Sequence, residues 1–151
     1  MASEATTYFY TLVALGAVGM MLTATFQTHT DSLHALAERQ ELRRVLETIA
    51  SEGTELIALS EATNASTRVC LRVPNILGKR RWWVRLVSDS NETWVEGAFG
   101  PSWEGHPDLV VELPHIATAS GTYQGGDGPL ALACSINGSD IVMTLGSWED
   151  G

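Results

Sequence analysis

Few side chains in this sequence could do chemistry, and their spacing decides which kind. The histidines are His29, His34, His106 and His115, and the cysteines are Cys70 and Cys134. His29 and His34 lie near Asp31 and Glu38, but five residues separate them. Partners on one helix face stand three or four apart, so this spacing does not build a metal pair. His106 and His115 fall in loop-like stretches near Glu104, Asp108 and Glu112, an acid–base or metal set only if folding gathers them. The Gly-Gly-Asp-Gly run at 125–128 reads as a turn, without the ligand spacing of a calcium loop. No strand, glycine-rich turn and helix follow one another as a nucleotide site requires. The expectation is a protein that is not an enzyme, with no catalytic residues, no metal ligands and no cofactor.

Modification chemistry is better signalled. Of four asparagines, three open N-x-S/T sequons: Asn64-Ala-Ser66, Asn91-Glu-Thr93 and Asn137-Gly-Ser139. All three fall where turns are expected, so a glycan could stand in solvent. Cys70 and Cys134 could form a disulfide in an oxidising compartment. Strand alternation opposes that pairing, because Cys70 shares a face with Arg68 and Arg72, whereas Cys134 shares one with Leu130, Leu132 and Ile136. A bulge or an edge crossing would be needed to bring the sulfurs together. Both states of the cysteines stay open at this point.

The elements that must position these groups follow from composition. The chain has 151 residues, 44% of them hydrophobic and 18% charged, with a net charge of −9. Such a balance excludes a general nucleic-acid surface. Lys79-Arg80-Arg81-Trp82-Trp83 mixes bases with aromatics as single-strand binders do, yet one short run in a half-buried strand has the same composition. Residues 1–38 hold no Lys or Arg, and the apolar excess sits there. From Thr6 to Phe26 there is no charge, and a helix over those residues would rise about 31 Å, one bilayer core. Tyr8, Phe9, Tyr10 and Phe26 flank it like interfacial anchors. A secretory signal peptide would need a basic stretch before the apolar run, and none is present.

Beyond this span Leu33, Leu36, Leu42, Val45 or Leu46, Ile49, Leu56 and Leu59 recur at mostly three- to four-residue steps, an amphipathic stripe. Thr30 or Asp31 could cap a new helix, but one continuous helix from about Thr6 to Ala62 needs no break, and Gly53 is its weak point. Tyr8, Leu12, Leu15, Gly16, Gly19, Met20 and Phe26 form the expected assembly surface of this helix. The two glycines allow close approach, although they are not spaced as small-xxx-small.

After Asn64 the hydrophobic period becomes two. Strands are expected at 67–73, 81–88, 93–99, 109–113, 118–123, 130–136 and 141–145, with turn residues between nearly all of them. The fold class is therefore α+β: a long hydrophobic-to-amphipathic helix over 1–62, then a small antiparallel β-sandwich-like domain over 63–151. Charge is segregated within that domain. Residues 63–88 contain Arg68, Arg72, Lys79, Arg80, Arg81 and Arg85 and no acid, whereas residues 89–151 contain ten acids and no base. Either basic strands are neutralised by acidic neighbours across the sheet, or the bases form a charged interface with another subunit or with lipid headgroups.

The order of these parts resembles archaeal type IV pilin-like and archaellum-associated membrane-anchored proteins. The local sequence that carries the resemblance is LRRVLETIA at 42–50, RVCLRVPNILG at 68–78 and RWWVRLV at 81–87. The resemblance implies a structural subunit, or an accessory component, of an extracellular filament that assembles through its N-terminal helix. It further implies the membrane, copies of the same chain and surface-layer protein as partners, with the C-terminal domain outside the cell. Glu4 falls where many pilins carry an acid near the start of the helix, which is also where any acid favours a helix N-terminus. The basic leader of processed prepilins does not precede Thr6, which implies either a leader already removed or an unprocessed, stator-type relative. The sequons point to the same side of the membrane, whereas the distribution of positive charge does not orient the span. The alternative is a single-pass surface receptor whose β domain holds a ligand through Trp103, Tyr123 and Trp148.

Overall fold

The first 63 residues are rich in Ala, Leu, Met, Glu and Arg and hold no proline, a composition with little to interrupt a helix. In the computed structural model they form one helix, α1, Ala2–Thr63. The structure describes residues 2–90, 92–101, 105–113, 118–138 and 140–148. Thr30 does not cap a second helix; its hydroxyl donates to the Phe26 carbonyl inside α1. The helix stops at Asn64, whose φ of 51° is left-handed. Asparagine tolerates that conformation better than most residues other than glycine, and it occupies the usual place of a helix C-terminal stop.

Seven strands follow: β1 Thr67–Leu71, β2 Trp82–Ser88, β3 Thr93–Phe99, β4 Leu109–Leu113, β5 Thr118–Gln124, β6 Leu130–Asn137 and β7 Asp140–Ser147. They make one sheet in the order β1-β6-β7-β5-β2-β3-β4, antiparallel throughout except for the β5–β7 pair. The α+β class expected from the change of period is present. The second layer is not another sheet as in a sandwich; the C-terminal half of α1 supplies it. Leu42, Val45, Leu46, Ile49, Ala50, Leu56 and Ile57 are buried with Val84, Leu86, Val95, Leu130, Leu132, Met143 and Leu145 in one core. Burying each large aliphatic side chain contributes about 1.5–3 kcal/mol.

Two compact units divide the chain, Met1–Ala37 and Glu38–Gly151. This moves the expected boundary from 62/63 back to 37/38, because the helix from Leu42 to Ser60 is a structural layer of the β domain. Leu33, Leu36 and Leu59, which extend the stripe in sequence, are exposed. Gly53 is no defect in this packing. A Cβ there would meet Leu113 Cδ2 at 3.1 Å and Met143 Sδ at 3.3 Å, so the missing side chain lets helix and sheet approach. Where β5 runs beside β7, Gly121 has φ 130° and an added Cβ would collide with the Leu145 backbone. The Ser60 and Thr67 hydroxyls, 2.7 Å apart, tie the end of α1 to the first residue of β1.

Candidate functional site

No group of three or more His, Cys, Asp or Glu side chains that could hold a metal ion occurs among the described residues. His29, His34 and His106 are exposed; Glu104 and His115 lie outside the described residues. The candidate sites are therefore surfaces.

The first surface is the unit Met1–Ala37. An 18-residue window of its helix has a mean hydropathy of 1.7 and is 0% buried. Tyr8, Leu12, Leu15, Met20 and Phe26 are all more than half exposed, with Met20 at 77%. A Cβ added to Gly16 or Gly19 would meet nothing within 4 Å, so both positions are open to a neighbour. Six threonine hydroxyls on this segment are already paired. Thr7, Thr11, Thr23, Thr25, Thr28 and Thr30 each donate to the carbonyl four residues back, at 2.8–2.9 Å. A hydroxyl paired within its own helix loses little when water is withdrawn, so the segment suits an apolar environment.

The second surface is the sheet face turned away from α1. At its centre is a cluster that the charge arithmetic did not reveal. Arg85 on β2 and Glu96 on β3 are directly opposite in register. The Arg85 Nε donates to Glu96 Oε1 at 2.6 Å, and a guanidinium NH2 makes a second, closer contact. Trp94 Nε1 donates to Glu96 Oε2 at 3.2 Å. Trp83 lies on the same face with Arg85 beside its ring, and is buried. Glu96, buried at 6% exposure, is thus held by a guanidinium and an indole. Here basic and acidic strands do neutralise each other across the sheet.

The other bases divide into two places. Arg68, on β1, lies over the Trp148 ring at 4.2 Å, and Arg72 follows exposed at the end of the same strand. Lys79, Arg80 and Arg81 are exposed around a tight turn closed by Leu77 and Arg80, where Arg80 lies over Phe99 at 4.8 Å. The Lys79 amide donates to the Glu38 carboxylate at 3.4 Å. The six bases therefore do not make one charged face. Beside Arg68, the residues Ala131, Ala133, Thr144, Gly146 and Ser147 line an open groove of about 280 Å³.

The cysteines do not form a disulfide. Both thiols are free, Cys70 exposed and Cys134 buried in the core. In the β1–β6 register Cys134 is opposite Thr67, while Cys70 is opposite Ala131. An offset of three residues puts the sulfurs on opposite faces and separates them by about 10 Å along the strand. The ladder carries no bulge that would change that parity.

Of the sequon asparagines, Asn64 is exposed at the end of α1 and Asn137 is exposed at the end of β6. Asn91 lies outside the described residues, as does Trp103. Tyr123 is not available to a ligand. It is buried against Trp82, with ring centroids 5.7 Å apart, and its hydroxyl donates to the Gly128 carbonyl at 2.5 Å. Burial, and then the nearby Asp127 charge, push its phenol above the ordinary value of 10.0. Alternation could place Val84 and Leu86, but it gave no sign of Tyr123 or Trp82, whose polar ends reach loop carbonyls. No family model, curated protein or solved structure matches this chain.

Proposed function

We propose that this protein is a structural subunit, or an accessory component, of an extracellular pilus-like or archaellum-like filament. Its N-terminal helix is the assembly element. The observation that supports this most directly is the apolar window of α1, entirely unburied in the single chain while threonine hydroxyls along it are paired within the helix. Such a surface calls for lipid or for other helices around it. The domain Glu38–Gly151 brings its own core, so it can stand outside the apolar environment while the first unit is inserted. The exposed sequon asparagines Asn64 and Asn137 agree with a β domain outside the cell.

Electron microscopy of purified surface filaments, combined with mass spectrometry, tests this reading. The expected result is the chain within filaments, with glycan mass on peptides containing Asn64 or Asn137. A chain found only as a detergent-soluble monomer in the membrane fraction would overturn assembly and favour the receptor reading.

A further inference from the structure

β1 and β4 end the sheet, and neither outer edge is paired with a strand among the described residues. Such edges are templates for pairing with another chain. Both strands have five residues, Thr67–Leu71 and Leu109–Leu113. Their directions follow from the pairings between them. β1 is antiparallel to β6, and β6 to β7; β7 is parallel to β5; β5 is antiparallel to β2, β2 to β3, and β3 to β4. β1 and β4 therefore run in opposite directions. A second copy displaced sideways along the sheet, its α1 layer on the same side, brings its β4 antiparallel to β1 of the first.

The sequences match in that arrangement. With the two strands aligned end to end, Thr67 faces Leu113, Arg68 faces Glu112, Val69 faces Val111, Cys70 faces Val110 and Leu71 faces Leu109. One step further, Arg72 faces Asp108. Directly opposed residues of an antiparallel pair share a face, so Arg68–Glu112 and Arg72–Asp108 flank Cys70–Val110 on the outer side. Val69, Leu71, Leu109 and Val111 meet on the core side, where each is only half-buried in a single copy. The charged groups are accessible. Arg72 and Glu112 are exposed and have no ion pair among the described residues, and Val110 is 52% exposed. Arg68 stacks on Trp148. The Asp108 carboxylate accepts one long bond, 3.4 Å, from the Phe99 amide. The symmetric alternatives match less well. Pairing β1 with β1 about Cys70 opposes Arg68 to Arg72, and pairing β4 with β4 about Val111 opposes Glu112 to Val110 and leaves the arginines unanswered.

We propose that copies of this chain join head to tail by β4-to-β1 strand addition, each copy extending the next one's sheet. Repeated by the same sideways displacement, a heterologous contact of this kind builds an open array. The proposal deepens the filament reading and rests on it for its setting, since it names the contact between neighbouring β domains.

The full-length chain in detergent, carrying V110C, provides the test under mild oxidation. The natural Cys70 of one copy should trap the new thiol of the next, giving a ladder of dimers, trimers and larger species on a non-reducing gel. C70S in the same background should abolish the ladder. R68E or E112R should each lower its yield about fivefold, and R68E with E112R should restore it, because the swap recreates the opposite-charge pair. Cross-links that stop at the dimer and survive C70S would mean a symmetric β4 contact and overturn the proposal. So would the absence of any ladder. Electron microscopy of cells carrying the same variants separates the two readings. Filaments without a ladder would reject strand addition and keep the filament function. A ladder without filaments would keep strand addition and reject the filament.

Discussion

At the scale of single residues, the outer sheet face shows how charge is handled. Glu96 is almost fully removed from water, so its carboxylate depends on Arg85 and Trp94. Glu96→Ala leaves the guanidinium and the indole without their acceptor. Because Arg85 retains 36% of its side-chain exposure, water recovers part of the loss. A destabilisation of about 1–3 kcal/mol is expected in chemical denaturation, and Glu96→Gln should cost less because one carbonyl acceptor remains. Tyr123 gives a prediction in pH. Its phenol titrates higher in the folded chain than in the unfolded one, so the folded state holds the proton more tightly. The corresponding stability is present below pH about 10 and is lost as pH rises through the folded value. Tyr123→Phe should flatten the stability profile above pH about 10, and should cost about 1 kcal/mol at neutral pH through the lost bond to Gly128. Thermal melts across the alkaline range check both.

At the scale of elements, α1 is one continuous helix with an exposed apolar first part and a later stripe that covers the sheet, and the sequence shows the difference between the two. Strand positions were legible to within a residue or two because alternation and turn residues agree. Val69, Leu71, Val84, Leu86, Val95, Leu109, Val111, Leu113, Leu130, Leu132, Met143 and Leu145 face the core as the pattern implies. The partner of that face was not legible. A period of two says that one face is buried, and says nothing about whether a sheet or a helix covers it. Gly53 illustrates the difference, since helix propensity marks it as a fault while the packed structure uses it as a contact point. Gly53→Leu should destabilise the domain by about 1–3 kcal/mol through overpacking against Leu113 and Met143, although leucine is the better helix former. Gly53→Ala should change stability by less than about 1 kcal/mol, as crowding and propensity oppose each other. Denaturant midpoints of the two variants, compared with the unaltered chain, decide this.

At the scale of the whole molecule, the two units can be perturbed independently because the β domain draws its core from residues after Glu38. Leu15→Asp puts a charge in the middle of the apolar helix, a cost of about 2.5–3.5 kcal/mol at a bilayer centre. Retention of the chain in carbonate-washed membranes should fall sharply. The thermal transition of the β domain should stay where it is, since its core is drawn from residues from Leu42 onward. A transition that shifted with this substitution would contradict the independence of the units. Assembly, if it runs through the first helix, should fail in the same variant even though the domain folds normally.

The sequence by itself determined the helix, its apolar first half, the strand positions and the parity that keeps Cys70 and Cys134 on opposite faces. These are local properties, fixed by side-chain period and by backbone preferences over a few residues. Only the tertiary structure decided the strand order, the helix as the sheet's second layer, the pairing of Arg85 with Glu96 and the burial of Tyr123. Those depend on which distant segments lie side by side, and period-two patterns fit many such arrangements equally well. The complementary edges belong to both levels: the charges on β1 and β4 are written in the sequence, but only the strand order shows that these two strands are the ends of the sheet.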